Sequence, residues 1–502
     1  MTWLGAALAA TATRRDAATA LLFDGAHYSY RLIADRAATV AGALLQRGAR
    51  PGDRVAVGLG NSPELVTSVL GVLRAGAVLV PINPAATPEE ITYIAGDAGV
   101  RFAIVEPEHA AVLAQAALPD LAEILTAADT ISAAPGTADA VDPAAPALIV
   151  YTSGTTGRPK GAVLSHAALL SNLLTVARAW QWTENDRLLL TLPCFHLHGL
   201  GLGILTSCLV GSSVALRRRF NADDVLADLE RSQATMFFGV PTMYNRIVAL
   251  PEDATRTVDL HRMRLWVSGS APLSAATFER FRDRFGVALM DRYGMTECGF
   301  VLSTPYDEAR RPGVVGRPLP GIAVRLIDPE AADAGRMADV PNGEQGEIAI
   351  QGPNLFSGYW QRPDDTRRVF LDGYLRSGDI AVREADGQFR IVGRSSVDII
   401  KTRGFKVGAV EIEDCVQRHP AVQEVAVVGV PDADQGERVV AAVILKPGVT
   451  LSAEALRDFA RQHLAPHKVP SRIVFVDEIP RIGPGKFKKK ELIRRLAAPE
   501  DR

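Results

Sequence analysis

The chain has 502 residues, more than one ordinary hydrophobic core accommodates, so two or more domains are expected. Apolar residues make up 47% of the sequence and charged residues 22%, which is a globular composition and excludes a largely disordered chain. The 55 basic residues nearly balance the 57 acidic ones, and the net charge of -2 gives no indication of a nucleic-acid-binding surface.

Cysteine usage and hydropathy indicate a reducing compartment and no membrane span. The cysteines form no CxxC pair, which favours free thiols over a zinc site: Cys194, Cys208, Cys298 and Cys415. No run of 18 apolar residues is uninterrupted, so a membrane-spanning helix is not expected. The apolar residues 4–10 precede Arg14 and Arg15, whereas a signal peptide carries its basic residues first, so an ordinary helix is expected. We therefore predict a cytoplasmic protein, either a monomer or a homodimer.

The first part of the chain alternates between predicted helices and strands. Helical spacing extends over residues 28–48, where one side collects Leu32, Ala38, Ala41, Leu44 and Leu45. Further helices are predicted over residues 63–75 and 88–98, and strands over residues 54–59, 77–82, 102–105 and 147–150. This alternation predicts a doubly wound parallel sheet of the α/β class.

Four later strands each end beside a polar cluster. They are predicted over residues 187–192, 235–240, 265–268 and 287–293, next to FHLHG, PTMYNR, GSAP and Gly294 respectively. Because ligands bind outside the carboxyl ends of strands in open α/β sheets, these clusters are expected to converge on one site. Residues 324–327 and 347–351 are then predicted to form a hairpin-like β unit.

The pattern changes near Gly393 and divides the chain into two predicted domains. Residues 1–393 form a large domain of doubly wound sheets plus a β subdomain, residues 394–398 a hinge, and residues 399–502 a small mobile α+β domain. The small domain has predicted helices over residues 411–416 and 453–464 and strands over residues 424–430, 439–445 and 473–476. The basic residues 486–490 are predicted to form, for the most part, a solvated helix start.

The stretch YTSGTTGRPKG, residues 151–161, follows a buried strand and predicts an anion cradle. Its glycines allow the backbone to approach a phosphate, and its hydroxyls and Lys160 supply hydrogen bonds and charge. Ser165 is predicted to cap a helix with the apolar face Leu169, Leu173, Val176 and Trp180. The loop is not a Walker A sequence, because Pro159 occupies the position of the required glycine. A flexible surface turn is the alternative interpretation.

Three more motifs have side chains suited to a nucleotide. In YGMTE, residues 293–297, Glu297 is a natural magnesium ligand beside phosphates, Thr296 can donate to a phosphate and Tyr293 can stack on a base. SGD, residues 377–379, and the later Gly393–Arg394 pair suit ribose hydroxyls. PRIGPGKFKK, residues 480–489, places Lys486 on a glycine-rich loop that can move between two reaction steps. Each motif, taken alone, also fits an ordinary surface turn.

Together the four motifs, in this order and at this spacing, resemble the acyl-adenylate-forming enzymes, which include acyl-CoA synthetases, adenylation domains and firefly luciferase. The resemblance extends from about residue 28 to the C-terminus and implies ATP, Mg²⁺ and coenzyme A. It implies that Lys486, Thr296 and Glu297 are catalytic and that Glu297 and Thr156 hold the metal. The other implied nucleotide contacts are Thr152, Ser153, Gly154, Thr155, Gly157, Lys160, Ser270, Ala271, Pro272, Tyr293, Gly294, Met295, Asp379 and Arg394.

The same resemblance implies a rotation of the small domain between adenylate formation and thioester formation. Lys486 would leave the site, and a face containing Arg403, Gly404, Phe405 and Lys406 would close a tunnel for coenzyme A. The chain is one residue longer than many relatives between Arg394 and Gly404, so the hinge is left open between Ser396, Val397 and Asp398.

Two arginines beside pocket strands, Arg246 and Arg292, predict a clamp for the second carboxylate of a short dicarboxylic acid, because arginine binds carboxylates bidentately. His196, His198 and Ser268 would complete a small polar pocket. The alternative places Arg246 on a solvated helix and pairs Arg292 with a structural acid. PCFHLHGL, FFGVPTMYNR, WVSGSAPL, DRYGMTE, RRPGVVGRPLPG and IVGRSSVDIIKTRGFKVGAVEIE resemble the malonyl-CoA synthetases most, which implies malonate or methylmalonate as the acid.

Three other functions stay open. A medium-chain or aryl acyl-CoA ligase is the second choice, with an apolar acyl pocket in place of the clamp. A peptide-synthetase adenylation domain is disfavoured, because no carrier segment follows Lys486. A non-catalytic nucleotide sensor on the same fold predicts loss of Lys486 or Glu297, and both are present.

Overall fold

A computed structural model describes residues 2–126, 128–130, 133–138, 140–152, 158–251, 258–394, 398–402, 405–432, 436–481 and 487–497. Its largest sheet continues from a parallel centre into an antiparallel region. In spatial order the strands of the path are Ala323–Ile327, Gln345–Gln351, Tyr374–Arg383, Phe389–Arg394, Val314–Pro318, Gly299–Ser303, Met290–Met295, Leu265–Ser268, Met236–Gly239, Arg187–Leu190, Ser213–Leu216, Thr19–Phe23 and Ala26–Ser29. The short strand Phe370–Leu371 pairs with Tyr374–Arg383.

The second sheet follows the same plan of parallel strands with an antiparallel edge. Its order is Gly358–Tyr359, Lys160–Ser165, Pro146–Thr152, Val78–Pro81, Arg54–Gly58, Val100–Val105 and Glu123–Leu125. The third sheet is smaller and contains Phe405–Gly408, Ile399–Thr402, Gly436–Leu445, Val422–Asp432 and Arg472–Phe475. The fold is therefore mixed α/β, with a large N-terminal region of two sheets and a smaller C-terminal one, as the sequence predicts.

Helices cover the faces of these sheets. The described α-helices are Leu4–Arg14, Tyr30–Gln46, Pro63–Arg74, Pro88–Ala98, Pro107–Gln115, His166–Ala179, Thr206–Val210, Ala222–Arg231, Pro241–Val248, Ala275–Phe285, Pro329–Asp333, Pro363–Val369, Ala409–Gln417, Ala453–His463 and Lys489–Ala497. His198–Leu205 forms a π-helix, and Ala128–Thr130 and Pro466–Lys468 form 3-10 turns. Within the described residues, no helix has both the length and the apolar character needed to cross a bilayer.

Local chemistry explains where several helices begin. Ser165 is the predicted cap of His166–Ala179, and its hydroxyl accepts from the amide of Ala168 at 3.1 Å. Thr87 and Glu90 form a capping box at the start of Pro88–Ala98. The predicted hairpin-like unit is confirmed, because Ala323–Ile327 pairs antiparallel with Gln345–Gln351.

The structure corrects three sequence-based predictions. The glycine-rich loop does not run directly into a helix, because Lys160–Ser165 first forms a strand antiparallel to Pro146–Thr152. Leu32, predicted on the apolar side of its helix, is 36% exposed. The strand predicted from residue 287 begins at Met290, and Val287 is exposed.

Lys489 is an exception within the helix start that the sequence predicts to be mostly solvated. Its side chain is buried at the first residue of Lys489–Ala497, and its ammonium group lies 2.5 Å from Asp398 Oδ1 and 2.7 Å from Glu413 Oε1. The pairing explains the burial, since a charged group rarely leaves water without a partner. The neighbouring Lys488 and Lys490 are exposed.

Candidate active site

The polar clusters predicted at strand ends lie at one edge of the largest sheet. The strands Arg187–Leu190, Met236–Gly239, Leu265–Ser268 and Met290–Met295 run parallel where they pair. Their register aligns Gly239 with Ser268 and Ser268 with Asp291, so the following segments leave the sheet on the same side. His198 from FHLHG contacts Ser270 from the GSAP segment, with 3.1 Å between Nδ1 and Oγ. The structure therefore brings FHLHG and GSAP into contact and places all four clusters at the same edge of the sheet.

Asp379 is the centre of a buried polar group. The hydroxyl of Tyr293 donates to Asp379 Oδ2 at 2.6 Å, and Arg394 Nε donates to Asp379 Oδ1 at 2.9 Å. The negative charge of Asp379 raises the pKa of the Arg394 guanidinium. Two of the predicted ribose residues thus contact each other on neighbouring strands, and Tyr293 joins them through its hydroxyl.

Glu297 lies where the two large sheets meet. Its side chain is buried, and the hydroxyl of Tyr359 donates to Glu297 Oε1 at 2.8 Å. Tyr359 belongs to the second sheet, where it pairs with Ala162 beyond the glycine-rich loop. Burial and then the charge of Glu297 raise the pKa of Tyr359, and Arg394 opposes this shift. The flank of the loop, Glu297 and the Asp379 group therefore surround one region.

Lys160, predicted to attract a phosphate, is already paired. Its ammonium nitrogen lies 2.9 Å from Asp365 Oδ2 and 5.4 Å from the ring centroid of Tyr359. Thr152, at the other side of the loop, has its hydroxyl 3.5 Å from the carbonyl oxygen of Lys160. Both residues thus hold the strands at the mouth of the loop together.

The residues present fit a magnesium ion bound together with phosphates. No group of three or more His, Cys, Asp or Glu residues in the described ranges could form a metal cage. Mg²⁺ is usually held by one or two carboxylates together with substrate phosphates and water, and Glu297 supplies one buried carboxylate. The second predicted ligand, Thr156, lies outside the described residues.

Arg292 has an unusual environment for an arginine. It is 6% exposed, and neither Nε nor one terminal nitrogen has a hydrogen-bond partner among the described residues. Burial lowers the pKa of the guanidinium to about 10, although the neighbouring Asp291 opposes the shift. The carboxylate of Asp291 accepts from the backbone amide of Arg292 at 3.0 Å. A buried cation of this kind is suited to bind an anion.

Two other buried side chains, Ser268 and His198, each have one polar atom without a hydrogen-bond partner among the described residues. The hydroxyl of Ser268 is fully buried, and so is His198 Nε2. Burial and then the charge of Arg292 lower the pKa of His198 well below its ordinary value, so the imidazole is neutral at pH 7. Three of the five predicted acyl-pocket residues are therefore buried, each with a polar atom that has no hydrogen-bond partner among the described residues.

The other two predicted acyl-pocket residues lie at the surface. Arg246 is exposed on the helix Pro241–Val248, whose Tyr244 and Ile247 are buried. This placement favours the alternative of a solvated arginine over a clamp of two arginines. His196 is also exposed, with its ring 4.3 Å from that of Phe195.

The predicted adenine and phosphate residues surround this region. Ser270 and Pro272 are exposed, Ala271, Gly294, Met295 and Thr296 are half-buried, and Tyr293 is buried. Ser270 has a positive φ of 71°, an uncommon backbone conformation for a side-chain-bearing residue. The predicted Tyr293 ring stacking stays a prediction.

The small region contacts the site through the linker. Asp398 accepts from the Arg394 amide at 2.9 Å, and its backbone amide donates to the Arg394 carbonyl at 2.8 Å. Phe405, predicted to face coenzyme A, is 50% exposed and stacks on His467 with 4.2 Å between ring centroids.

Several predicted residues lie outside the described ranges: Ser153, Gly154, Thr155, Thr156, Gly157, Ser396, Val397, Arg403, Gly404 and Lys486, together with the side chain of Lys406.

Sequence reasoning assigned no role to four residues that contact Glu297, Lys160 or Arg292. Tyr359 and Asp365, the partners of Glu297 and Lys160, come from segments far from both in the chain. Phe300 and Gly269 enclose the guanidinium of Arg292, with its Cζ 4.7 Å from the Phe300 ring centroid. Gly269 lies in the predicted GSAP segment, but its closeness to Arg292 was not predicted, and the local pattern around the other three residues does not indicate a ligand.

Comparisons with known proteins define the class. Residues 8–360 match the family described as AMP-binding enzyme, and residues 411–486 match the AMP-binding enzyme C-terminal domain. The chain belongs to this family of acyl-adenylate-forming enzymes. Within it, the chain is an AMP-forming acyl-CoA synthetase with close similarity to malonyl-CoA synthetases.

Individual relatives support this assignment. The chain is 37% identical to the mitochondrial malonate–CoA ligase ACSF3 of Mus musculus, over 95% of this chain and 88% of the relative. It is 36% identical to a feruloyl-CoA synthase of Amycolatopsis sp, over 95% of this chain and 96% of the relative. The crystal structure of ATP-bound MatB from Rhodopseudomonas palustris superposes with a TM-score of 0.91 at 35% identity, covering 98% of this chain and 99% of the other.

Proposed function

We propose that this enzyme activates a short dicarboxylic acid, malonate in the first place, as its acyl-adenylate and transfers the acyl group to coenzyme A. The products are malonyl-CoA, AMP and pyrophosphate. The observation that carries this proposal is the buried guanidinium of Arg292, of which Nε and one terminal nitrogen have no hydrogen-bond partner among the described residues and whose charge acts on the buried His198.

The buried charge of Arg292 favours a substrate that carries a second carboxylate. An unpaired buried charge costs several kcal/mol, whereas a carboxylate binds arginine with two short, charge-assisted hydrogen bonds. A fatty or aryl acid would leave Arg292 without an anion after its reacting carboxylate is placed beside ATP. A second carboxylate, separated from the first by one methylene group, satisfies the guanidinium, so malonate fits better than a monocarboxylate. Methylmalonate shares this chemistry.

In the first reaction the substrate carboxylate attacks the α-phosphorus of ATP, and the bond to pyrophosphate breaks. Negative charge builds on the oxygens around phosphorus, and Thr296 and Lys486 are assigned to stabilise it. Asp379 and Arg394 are assigned to the ribose. A magnesium ion held by Glu297, and by Thr156 beyond the described residues, would offset phosphate charge.

In the second reaction the thiol of coenzyme A attacks the acyl carbon, and AMP leaves. We assign the change between the two reactions to a rotation of the small domain about residues 394–398, which removes Lys486 and brings the segment around Phe405 to the site.

A second candidate is an aryl acyl-CoA ligase, since a feruloyl-CoA synthase is 36% identical over almost the whole chain. It requires an apolar acyl pocket, and the unpartnered Arg292 argues against that. A cytoplasmic location also stays a proposal, because the mouse relative is named as mitochondrial.

The test is ATP–pyrophosphate exchange with a panel of malonate, methylmalonate, octanoate and ferulate, followed by thioester formation with coenzyme A. We expect exchange with malonate at least about tenfold above that with either monocarboxylate, since a factor of ten corresponds to about 1.4 kcal/mol. Preference for ferulate or octanoate would favour the second candidate. Exchange with no acid would favour a nucleotide sensor.

A further inference from the structure

The guanidinium of Arg292 lies close to both Phe300 and Gly269. Its Cζ is 4.7 Å from the ring centroid of Phe300, within the range of a cation–π interaction. At Gly269 an added Cβ would be 2.5 Å from both Cζ and Nε and 2.9 Å from a terminal nitrogen. Only a residue without a side chain leaves room for the guanidinium in this position.

The position of Phe300 depends on an irregularity between two strands. Regular antiparallel pairing continues from Arg292 opposite Ser303 and Tyr293 opposite Leu302. The register then shifts, so that Gly294 faces Phe300. Such a bulge redirects a side chain, and here it places the ring beside Arg292.

Asn172 fixes the backbone of Phe300. Its side-chain nitrogen donates to the Phe300 carbonyl at 2.7 Å, and its side-chain oxygen accepts from the Phe300 amide at 2.9 Å. Asn172 is buried in the helix His166–Ala179. Phe300 is therefore anchored independently of the loops around the site.

We propose that Phe300 and Gly269 are positioning residues that determine the preference of this site for a second carboxylate. They hold the guanidinium flat and buried, so that its free nitrogen atoms are already oriented when the acid enters. Neither residue needs to touch the acid. This inference rests on the proposed function, because it assigns the second carboxylate to Arg292.

The chemical basis is that bidentate binding depends on the plane of the guanidinium. Removing the aromatic face allows the side chain to tilt and removes a cation–π interaction. Adding a methyl group at position 269 displaces the guanidinium outright. A displacement of about 1 Å can cost about a hundredfold in rate.

The experiment compares Phe300→Leu and Gly269→Ala with the wild type in pyrophosphate exchange. The acids are malonate and 3-methylbutyrate, in which an isopropyl group of similar shape replaces the second carboxylate. Two variants serve as matched controls. Phe278→Leu changes a buried phenylalanine in another part of the core. Gly60→Ala adds a Cβ whose nearest neighbouring atom, Glu106 Oε1, is at an ordinary contact distance of 3.7 Å.

We expect kcat/KM for malonate to fall about tenfold in Phe300→Leu and about a hundredfold in Gly269→Ala. The loss appears in KM for malonate, while KM for ATP stays within about threefold and the rate with 3-methylbutyrate does not fall. If Phe300 and Gly269 had only a structural role, the rates with malonate and 3-methylbutyrate would fall together. Any effect of the cavity in the control Phe278→Leu should likewise be the same for both acids.

Two results overturn the inference and are distinguishable. If the wild type prefers malonate and both variants keep that preference, Phe300 and Gly269 do not position Arg292, and the proposed function survives. If the wild type does not prefer malonate, the proposed substrate and the inference both fail.

Discussion

Arg292 is a buried cation, and burying a charged group without a partner is energetically unfavourable. Burial lowers its pKa to about 10, and two of its nitrogen atoms have no hydrogen-bond partner among the described residues, which is why we propose that it binds an anion. The Arg292→Ala variant should therefore lose malonate use by at least about a hundredfold in kcat/KM, as expected for removing one partner of a buried ion pair. ATP binding, measured by calorimetry, should survive.

The control for this prediction is Arg246→Ala, because Arg246 is exposed on its helix. It should keep malonate kinetics within about twofold, as surface substitutions usually do. Equal losses of kcat/KM for malonate in Arg292→Ala and Arg246→Ala would support the original prediction of a clamp formed by both arginines. Unchanged kinetics in Arg292→Ala would remove the carboxylate role of Arg292.

At single residues, sequence reasoning succeeds where a motif fixes the neighbourhood. The motif YGMTE identified Tyr293 and Glu297, which do lie in one region with Asp379. The paired state of Lys160 and the exposure of Arg246 depend on contacts with distant segments. A single sequence carries no signal for such contacts.

Among the elements, the helix that begins at Lys489 has a buried lysine within a basic run that is predicted to be mostly solvated. A run of lysines suggests solvation, yet Lys489 is enclosed by Asp398 of the linker and Glu413 of the helix Ala409–Gln417. The charge pattern alone cannot identify the buried lysine, because its two partners lie more than seventy positions away. By contrast, Ser165 was recognised as a helix cap, since a cap acts within its own segment.

Breaking this buried cluster should weaken the small domain. Lys489→Met leaves two carboxylates without their cation, and we expect the free energy of unfolding of that domain to fall by about 3–5 kcal/mol. All five tryptophans precede residue 361, so fluorescence would not report this change. Hydrogen exchange of peptides from residues 405–432 measures it directly.

The matched control is Lys488→Met, at the exposed neighbour. It should leave exchange in residues 405–432 unchanged. Equal exchange in both variants would show that the pairs with Asp398 and Glu413 contribute no stability.

At the scale of the whole molecule, the proposed rotation places Lys486 in the site for adenylate formation and removes it for thioester formation. Lys486→Ala should lose adenylate formation by at least about a hundredfold, as removal of a charge stabiliser does. The same variant should still form thioester from supplied malonyl-adenylate and coenzyme A. Loss of both reactions would argue that Lys486 has a structural role.

Two carboxyl groups from the two regions, the buried Asp291 and the half-buried Asp414, influence each other electrostatically. Burial raises the pKa of Asp291 to about 7, with Asp414 adding to the shift, and burial and Glu413 raise the pKa of Asp414 to about 7. Between about pH 4 and 7 the folded protein keeps protons that the unfolded chain has released, so these groups lower stability as the pH rises. The charges of Arg418 and Glu411 also act on Asp414.

Asp414→Asn should therefore raise the melting temperature at pH 8 by about 2–4 °C and leave it unchanged at pH 4. Differential scanning calorimetry across this range measures the difference, with the exposed Asp35→Asn as the control. An equal effect at both pH values would contradict the assignment.

The most direct measurement is a crystal structure of the enzyme with a non-hydrolysable malonyl-adenylate analogue. The second carboxylate should lie about 3 Å from the guanidinium nitrogens of Arg292, with Asp379 at the ribose. A second carboxylate that points to solvent, with Arg292 still unpartnered, would contradict malonate recognition at this site.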